Sequence, residues 1–288
     1  PAVIGSKVLY IARFNPRKVL ELLRMHHPTI LIAIPSMYNA LLNTKSSTAE
    51  DFQSIRLAGS GGEPLPVAVY EGFNTRFNLP ICEGYGLTET SPVTHWRLPN
   101  EDKYGSVGKP VKGLQQKIVG EDENELAQCV DGEIRMKGPN IMKGYFNMVD
   151  ETTKVFDEQG YFKSGDMGHI DEDGFLYITG RIKEMLIIAG ENVFPREIEE
   201  ALTDHQDVLA AAVVGRMDDS RGEVAVAFIE LKEDAAFDEH QLRAWCRERI
   251  APFKVPKTIT VLPELPRNPT GKIVRRELVK LVNKEIVS

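Results

Sequence analysis

No stretch of this chain stays apolar for the roughly 18 residues that a membrane-spanning helix needs. The opening PAVIGSKVLYIARF lacks the zones of a signal peptide. No membrane span is expected. Cysteine is scarce: Cys82, Cys129 and Cys246 are odd in number, far apart and without metal-ligand spacing, which argues against a disulfide framework and a zinc site. A reducing, cytoplasmic compartment is the expectation. Basic excess is lacking too. With 35 Lys and Arg against 42 Asp and Glu the net charge is -7, whereas a nucleic-acid binder needs a basic face to neutralise phosphates. Any phosphate must therefore be met by local groups. Among the histidines, no pair has zinc-ligand spacing on a helix, none completes a Ser-His-Asp order, and His205 and His240 read as exposed. Internal repeats and low-complexity tracts are absent.

What is present is a chain of 288 residues, 42% hydrophobic and 27% charged, long enough for one large core or for two domains joined by a linker. Two are favoured. Up to about residue 95, short apolar runs alternate with amphipathic segments, as in a doubly wound sheet. KVLYI (from Lys7) reads as a strand, Pro16 to Met25 as a helix, TILIAIP (from Thr29) as a buried strand, and SMYNALL as a helix capped by Ser36. The pattern repeats with strand SIRLA (from Ser54), turn GSGG (Gly59 to Gly62), helix Pro66 to Phe77 and strand PICEGYG. In open parallel sheets ligands collect at the carboxyl ends of strands, where GSGGEP and GYGLTE fall.

From Ser106 to Tyr145 the texture becomes alternating, with Gly and acidic turns: QQKIVG, EDENE, GEIRMKG. This is antiparallel β, a small barrel or sheet. After Arg181, KEMLIIAGEN reads as a hairpin, PREIEEALTDH as a helix with Pro195 in its first turn, VLAAAVVGR and EVAVAFIELK as strands, Asp238 to Arg249 as a helix and TITVL as a strand. The expected fold class is α/β: a partial doubly wound domain over 1–181 with an antiparallel β subdomain at about 106–181, followed by a small α+β domain over 184–288.

Three short segments carry candidate chemistry. In EGYGLTET, Tyr85, Gly86, Thr88 and Glu89 put an aromatic face, a hydroxyl and a carboxylate close together, groups that an adenine ring, a phosphate oxygen and Mg2+ require. In SGD, Asp166 is an acid able to accept from two adjacent hydroxyls, and Arg181 ends the FLYITGR strand with a fork of donors. In NPTGK, Lys272 follows a flexible Gly turn, suited to charge stabilisation in phosphoryl chemistry.

Taken in this order, EGYGLTET, the run from Gly160 to Ile198 and NPTGK resemble the adenylate-forming enzymes: acyl-CoA synthetases, peptide-synthetase adenylation domains and luciferases. The resemblance covers nearly all of the chain. It implies ATP, AMP, Mg2+ and coenzyme A as ligands. Tyr85 would stack on adenine, Thr88 contact the α-phosphate, Glu89 bind Mg2+, and Asp166 hold the ribose. Gly61, Gly62, Glu63 and Pro64 would form the adenine-side turn, Lys183 the domain hinge, Gly190 the lining of the pantetheine tunnel, and Lys272 the catalytic lysine. Ala189 stands where many relatives have a second glycine, and Ser164 where many fatty-acid members have Thr. The Gly, Ser and Thr-rich phosphate loop ending in Pro-Lys occurs nowhere in these residues, so the chain reads as a C-terminal portion, inactive alone. The activity implied is an acid-thiol ligase that makes acyl-CoA from a carboxylic, first of all fatty, acid. The alternatives are an adenylation domain loading a carrier protein and a non-catalytic remnant that binds AMP or acyl-CoA.

Overall fold

The computed structural model describes residues 2–101, 103–218, 222–268 and 271–285. The chain forms two compact units, Pro1–Leu65 with Val69–Cys82, and Pro66–Ala68 with Glu83–Ser288.

In the first unit, helix α1 (Pro16–His26) starts with Pro16 in its first turn while the Asn15 side chain accepts from the Lys18 amide at 3.2 Å. It stops at His27, whose left-handed backbone (φ 44°) returns its N–H to Leu23 O. Its buried face, Val19, Leu20 and Leu23, packs into a core with α2 (Pro35–Leu42) and α3 (Val67–Phe77). Tyr38 and Phe73 meet edge to face there, ring centres 5.1 Å apart. Strands β1 (Ile30–Ala33) and β2 (Leu57–Gly61) run parallel in register Ile30↔Leu57.

Several local expectations fail here for identifiable reasons. Lys7 to Ile11 is irregular rather than a strand, with Tyr10 fully in solvent; apolar residues make a strand only against a partner and a face to bury. TILIAIP is not a buried strand: Ile30 and Ile32 are exposed while Leu31 and Ala33 pack inward, an alternating strand with one covered face. Ser36 does not cap α2, because Pro35 already occupies the first turn and Ile34 is the N-cap. Strand β2 starts three residues later than Ser54 and absorbs Gly59 to Gly61, so the turn begins only at Gly62, with φ 87°.

Strand β3 (Ile81–Tyr85) carries the chain into the second unit. Here β4 (His95–Trp96), β5 (Ser106–Pro110), β6 (Gln115–Val119), β7 (Gly132–Lys137), β8 (Phe162–Ile170) and β9 (Leu176–Arg181) lie in the order β4-β5-β9-β8-β7-β6, all neighbours antiparallel. The sheet is open rather than a barrel. Its buried face carries Val107, Ile118, Ile134, Met136, Phe162 and Leu176. A short helix α4 (Val149–Lys154) precedes β8.

The second sheet of this unit has β10 (Leu186–Ile188), β11 (Glu191–Val193), β12 (Val208–Asp218), β13 (Gly222–Leu231) and, parallel to β13, β14 (Thr258–Val261). Alternate residues of β12 and β13 enter two different cores. Ala211, Val213, Ala227 and Ile229 meet α5 (Pro195–Thr203) and α6 (Glu239–Arg247), while Ala212, Val214, Val226 and Phe228 meet α7 (Arg275–Glu285). Both faces are covered, which is why VLAAAVVG reads as a continuous apolar run instead of an alternation. Against expectation His205 is buried, its ring edge-on to Trp245 at 5.1 Å. Its polar neighbours Asp204, Gln206 and Asp207 conceal that in the sequence.

Candidate active site

Asp166 is the centre of a buried polar cluster. It lies within β8, not in a turn between two strands, and the antiparallel register sets it opposite Arg181 at the end of β9. Only 2% of Asp166 is exposed. Arg181 Nε pairs with its Oδ1 at 2.8 Å, and the Tyr85 hydroxyl, arriving from β3, donates to Oδ2 at 2.6 Å. Ser164 fixes the strand locally, donating to Ile134 O at 2.6 Å and accepting from the Asp166 amide at 3.1 Å. Burial pushes the Asp166 carboxyl above its ordinary value, with Tyr85 and Arg181 acting against it. Burial, and then the neighbouring Asp166 charge, hold the Tyr85 phenol well above its own, so it remains a donor. An ionised carboxylate has about four acceptor positions. Among the described residues Tyr85 and Arg181 use two of them.

Behind Tyr85 stands a buried histidine. His95, paired with Tyr85 across β3 and β4, lies within hydrogen-bond reach of Thr94 Oγ1 at 3.0 Å and Gln116 Oε1 at 2.5 Å, and its ring centre is 6.0 Å from that of Tyr85. Burial lowers its pKa from 6.5 to about 4, so it is neutral at pH 7. Thr94 Oγ1 also donates to Tyr85 O at 3.0 Å. The next residue, Gly86, has to be glycine: a Cβ there would lie 1.8 Å from Pro92 O.

Thr88 is exposed and Glu89 half-buried in a 3-10 turn, Thr88–Thr90. Tyr145 donates its hydroxyl to Glu89 Oε1 at 3.0 Å, the Met142 amide donates to Glu89 O at 2.8 Å, and Asn140 Nδ2 to Thr90 O at 3.0 Å. Tyr145 escapes the sequence reading because it lies 56 residues from Glu89 and no local spacing marks it. Among the described residues no three His, Cys, Asp or Glu are grouped to hold a metal. Mg2+ is commonly held by one or two carboxylates together with substrate phosphates, and an oriented Glu89 fits that donor set.

The other candidates lie elsewhere. Gly61, Gly62, Glu63 and Pro64 belong to the first unit, at the end of β2 and the turn after it. Lys183 is exposed in a 3-10 turn, Ile182–Glu184, that follows β9 directly. Gly190 is the second residue of a two-residue hairpin between Ile188 and Glu191, with positive φ at both Ala189 (54°) and Gly190 (86°), the geometry of a type I′ turn. That turn alone accounts for the glycine. Lys272 is exposed, and among the described residues no hydrogen bond or ion pair joins it to Tyr85, Glu89, Asp166 or Arg181. Pro269 and Thr270 of its motif lie outside the described residues.

Comparison with known proteins gives this geometry a context. Residues 1–146 match the AMP-binding enzyme family and residues 197–272 the AMP-binding enzyme C-terminal domain. The chain is 40% identical over 279 residues to the long-chain-fatty-acid–CoA ligase of Bacillus subtilis (strain 168), covering 96% of this chain and 50% of that protein. It is 36% identical over 281 residues to the sulfoacetate–CoA ligase of Cupriavidus necator, covering 97% of this chain and 55% of that one. The crystal structure of ATP-bound MatB from Rhodopseudomonas palustris superposes with a TM-score of 0.88 at 32% identity, over 94% of this chain and 54% of that one. The chain thus spans about half the length of the relatives it matches. With a family model matched over half of its residues, and with Tyr85, Gly86 and Asp166 gathered as described, the chain belongs to the AMP-binding enzyme family, within the adenylate-forming superfamily.

Proposed function

We propose that the full-length polypeptide carrying this chain activates a carboxylic acid, a fatty acid being the first candidate, with ATP and then transfers the acyl group to the thiol of coenzyme A. The carboxylate attacks the α-phosphorus and pyrophosphate leaves. The thiol then attacks the acyl-adenylate, releasing AMP. In this scheme further acceptor positions of Asp166 take the ribose diol while the Tyr85 ring lies against adenine. Arg181, whose side chain is more than half exposed, reaches the same ribose or a phosphate. The turn at Gly61, Gly62, Glu63 and Pro64 would let backbone approach the base. Thr88 contacts the α-phosphate, Glu89 would hold Mg2+, which when bound would supply charge neutralisation for the phosphates, and Lys272 stabilises the charge developing in the first step. Lys183 is the pivot between 1–181 and 184–288, and the Gly190 hairpin lines the thiol's path.

The observation that carries this reading is the buried Asp166 held between Tyr85 and Arg181 in a chain of this family. Relatives that act on acids as different as a long-chain fatty acid and sulfoacetate support the ligation chemistry more than any one acid. For these 288 residues by themselves a binding role is favoured, because no Gly, Ser and Thr-rich phosphate loop occurs among them; pyrophosphate exchange by the chain alone is expected at background. Asp166→Ala in the full-length polypeptide is the test. Loss of hydrogen bonds to a charged partner costs about 1.5–3 kcal/mol, so the ATP requirement is expected to rise about ten- to a hundredfold while that for the acid stays put. An unchanged ATP requirement would remove Asp166 from the site.

A further inference from the structure

We infer that Arg267, anchored on the buried carboxylate of Glu230, is a positioning residue for Lys272, an inference that rests on the role proposed above for that lysine. The described residues on the two sides of 269–270 are joined: Asn268 N donates to Lys272 O at 2.8 Å, Gly271 N to Asn268 O at 2.9 Å, and Val274 N to Pro266 O at 2.7 Å. Arg267 and Ile273 are bridged as well. Two side chains then act on one peptide group. Arg267 Nη1 donates to Gly271 O at 3.1 Å, and the Lys272 amide donates to Asn268 Oδ1 at 3.0 Å. The oxygen and the N–H of the Gly271–Lys272 peptide are thereby both held, and because a peptide group is planar, holding both sets the direction in which the Lys272 Cα leaves the loop. Gly271, at φ 94°, supplies the left-handed conformation this orientation needs.

The arginine is itself fixed. Its Nη2 lies 3.2 and 3.4 Å from the two oxygens of Glu230. Glu230 is on β13, 6% exposed, and also accepts from the Leu265 amide. A carboxylate buried to that degree has to keep its cation. The planar guanidinium thus joins the sheet to the loop with one rigid fork: Nη2 on the sheet, Nη1 on the carbonyl before the lysine. Downstream, Arg275 holds the start of α7, with Nη2 on Glu199 at 3.0 Å and Nε on Glu184 at 3.1 Å. Lys272 therefore gets its direction from backbone contacts, while its exposed side chain stays available to swing.

Arg267→Lys keeps a cation beside Glu230 but removes the fork, and Arg267→Ala removes both. In the full-length polypeptide, Arg267→Lys is expected to lower kcat for pyrophosphate exchange about ten- to a hundredfold, the scale of a misaimed catalytic group, with KM for ATP and for the acid near wild type. Thioester formation from supplied acyl-adenylate and coenzyme A should change less than about twofold, and the melting temperature little. Hydrogen exchange at the amides of residues 271–274 should speed up in the chain itself. Lys272→Ala runs in parallel. If it stops exchange while both Arg267 variants leave exchange intact, the positioning role is overturned and the lysine's role stands. An equal fall in both half-reactions would mean Arg267 only holds the fold. If Lys272→Ala itself leaves exchange intact, the reading of the lysine fails and this inference with it.

Discussion

Asp166 and Lys272, both in the second unit, are held in opposite ways. Asp166 is buried, with each carboxylate oxygen bonded to a side chain and its pKa displaced by burial. Lys272 is exposed, and what is fixed is the peptide before it rather than its ammonium. The two suit different tasks. A group that holds one part of a ligand throughout gains from being assembled in advance, since its ordering cost is met on folding. A group proposed to act in one step of a cycle has to leave, and a solvated side chain on a fixed loop can do so without exposing an unpaired buried charge. His95 and Tyr145 extend the same contrast, the first buried behind Tyr85, the second orienting Glu89 from a more open side.

The largest expected effect breaks the comparison at its mobile end. Lys272→Ala should reduce adenylate formation by about two orders of magnitude or more, as for loss of a preorganised charge, while sparing thioester formation from supplied adenylate. Separate assays of the two half-reactions check this, and equal damage to both would leave Lys272 no different in kind from Asp166. The next concerns the buried end. His95 has a folded pKa of about 4 against an ordinary 6.5, so below about 6.5 the unfolded chain takes up a proton that the folded chain refuses. The stability contributed by the neutral ring is fully present above 6.5 and is lost as pH falls towards 4, by roughly 3 kcal/mol at about 1.4 kcal/mol per pH unit. Denaturant unfolding between pH 7 and pH 4 should show a steeper loss for the wild type than for His95→Gln. Parallel curves would mean that His95 is not buried neutral. The smallest effect sharpens the comparison at Glu89: Tyr145→Phe should raise the Mg2+ concentration needed for half-maximal pyrophosphate exchange severalfold, about 1 kcal/mol for one lost hydrogen bond. An unchanged Mg2+ requirement would detach Tyr145 from the site.

Tyr85, Glu89, Asp166, Arg181 and Lys272 were all legible as candidates in the sequence, because each sits in a short segment whose residue types fit a nucleotide. The hairpin at Ala189 and Gly190, helix α5 behind Pro195, and the strands β12 and β13 were legible for the same reason: turn residues and apolar spacing are local properties. Their partners were not. Tyr145 with Glu89, His95 with Gln116, and Arg267 with Glu230 are separated by 56, 21 and 37 residues, and nothing in a local pattern says which distant side chain will arrive.

The sequence by itself determined most of the order of elements and the family, since periodicity, turn chemistry and motif order are written along the chain. It misjudged Lys7 to Ile11, the burial of Ile30 and Ile32, the cap of α2 and His205, where composition was weighed without its surroundings. Only the tertiary structure decided that Asp166 is buried between Tyr85 and Arg181, that Tyr145 meets Glu89, and that Arg267 pairs with the buried Glu230. Burial and hydrogen bonding are properties of what surrounds a side chain, and that neighbourhood exists only once the chain has folded.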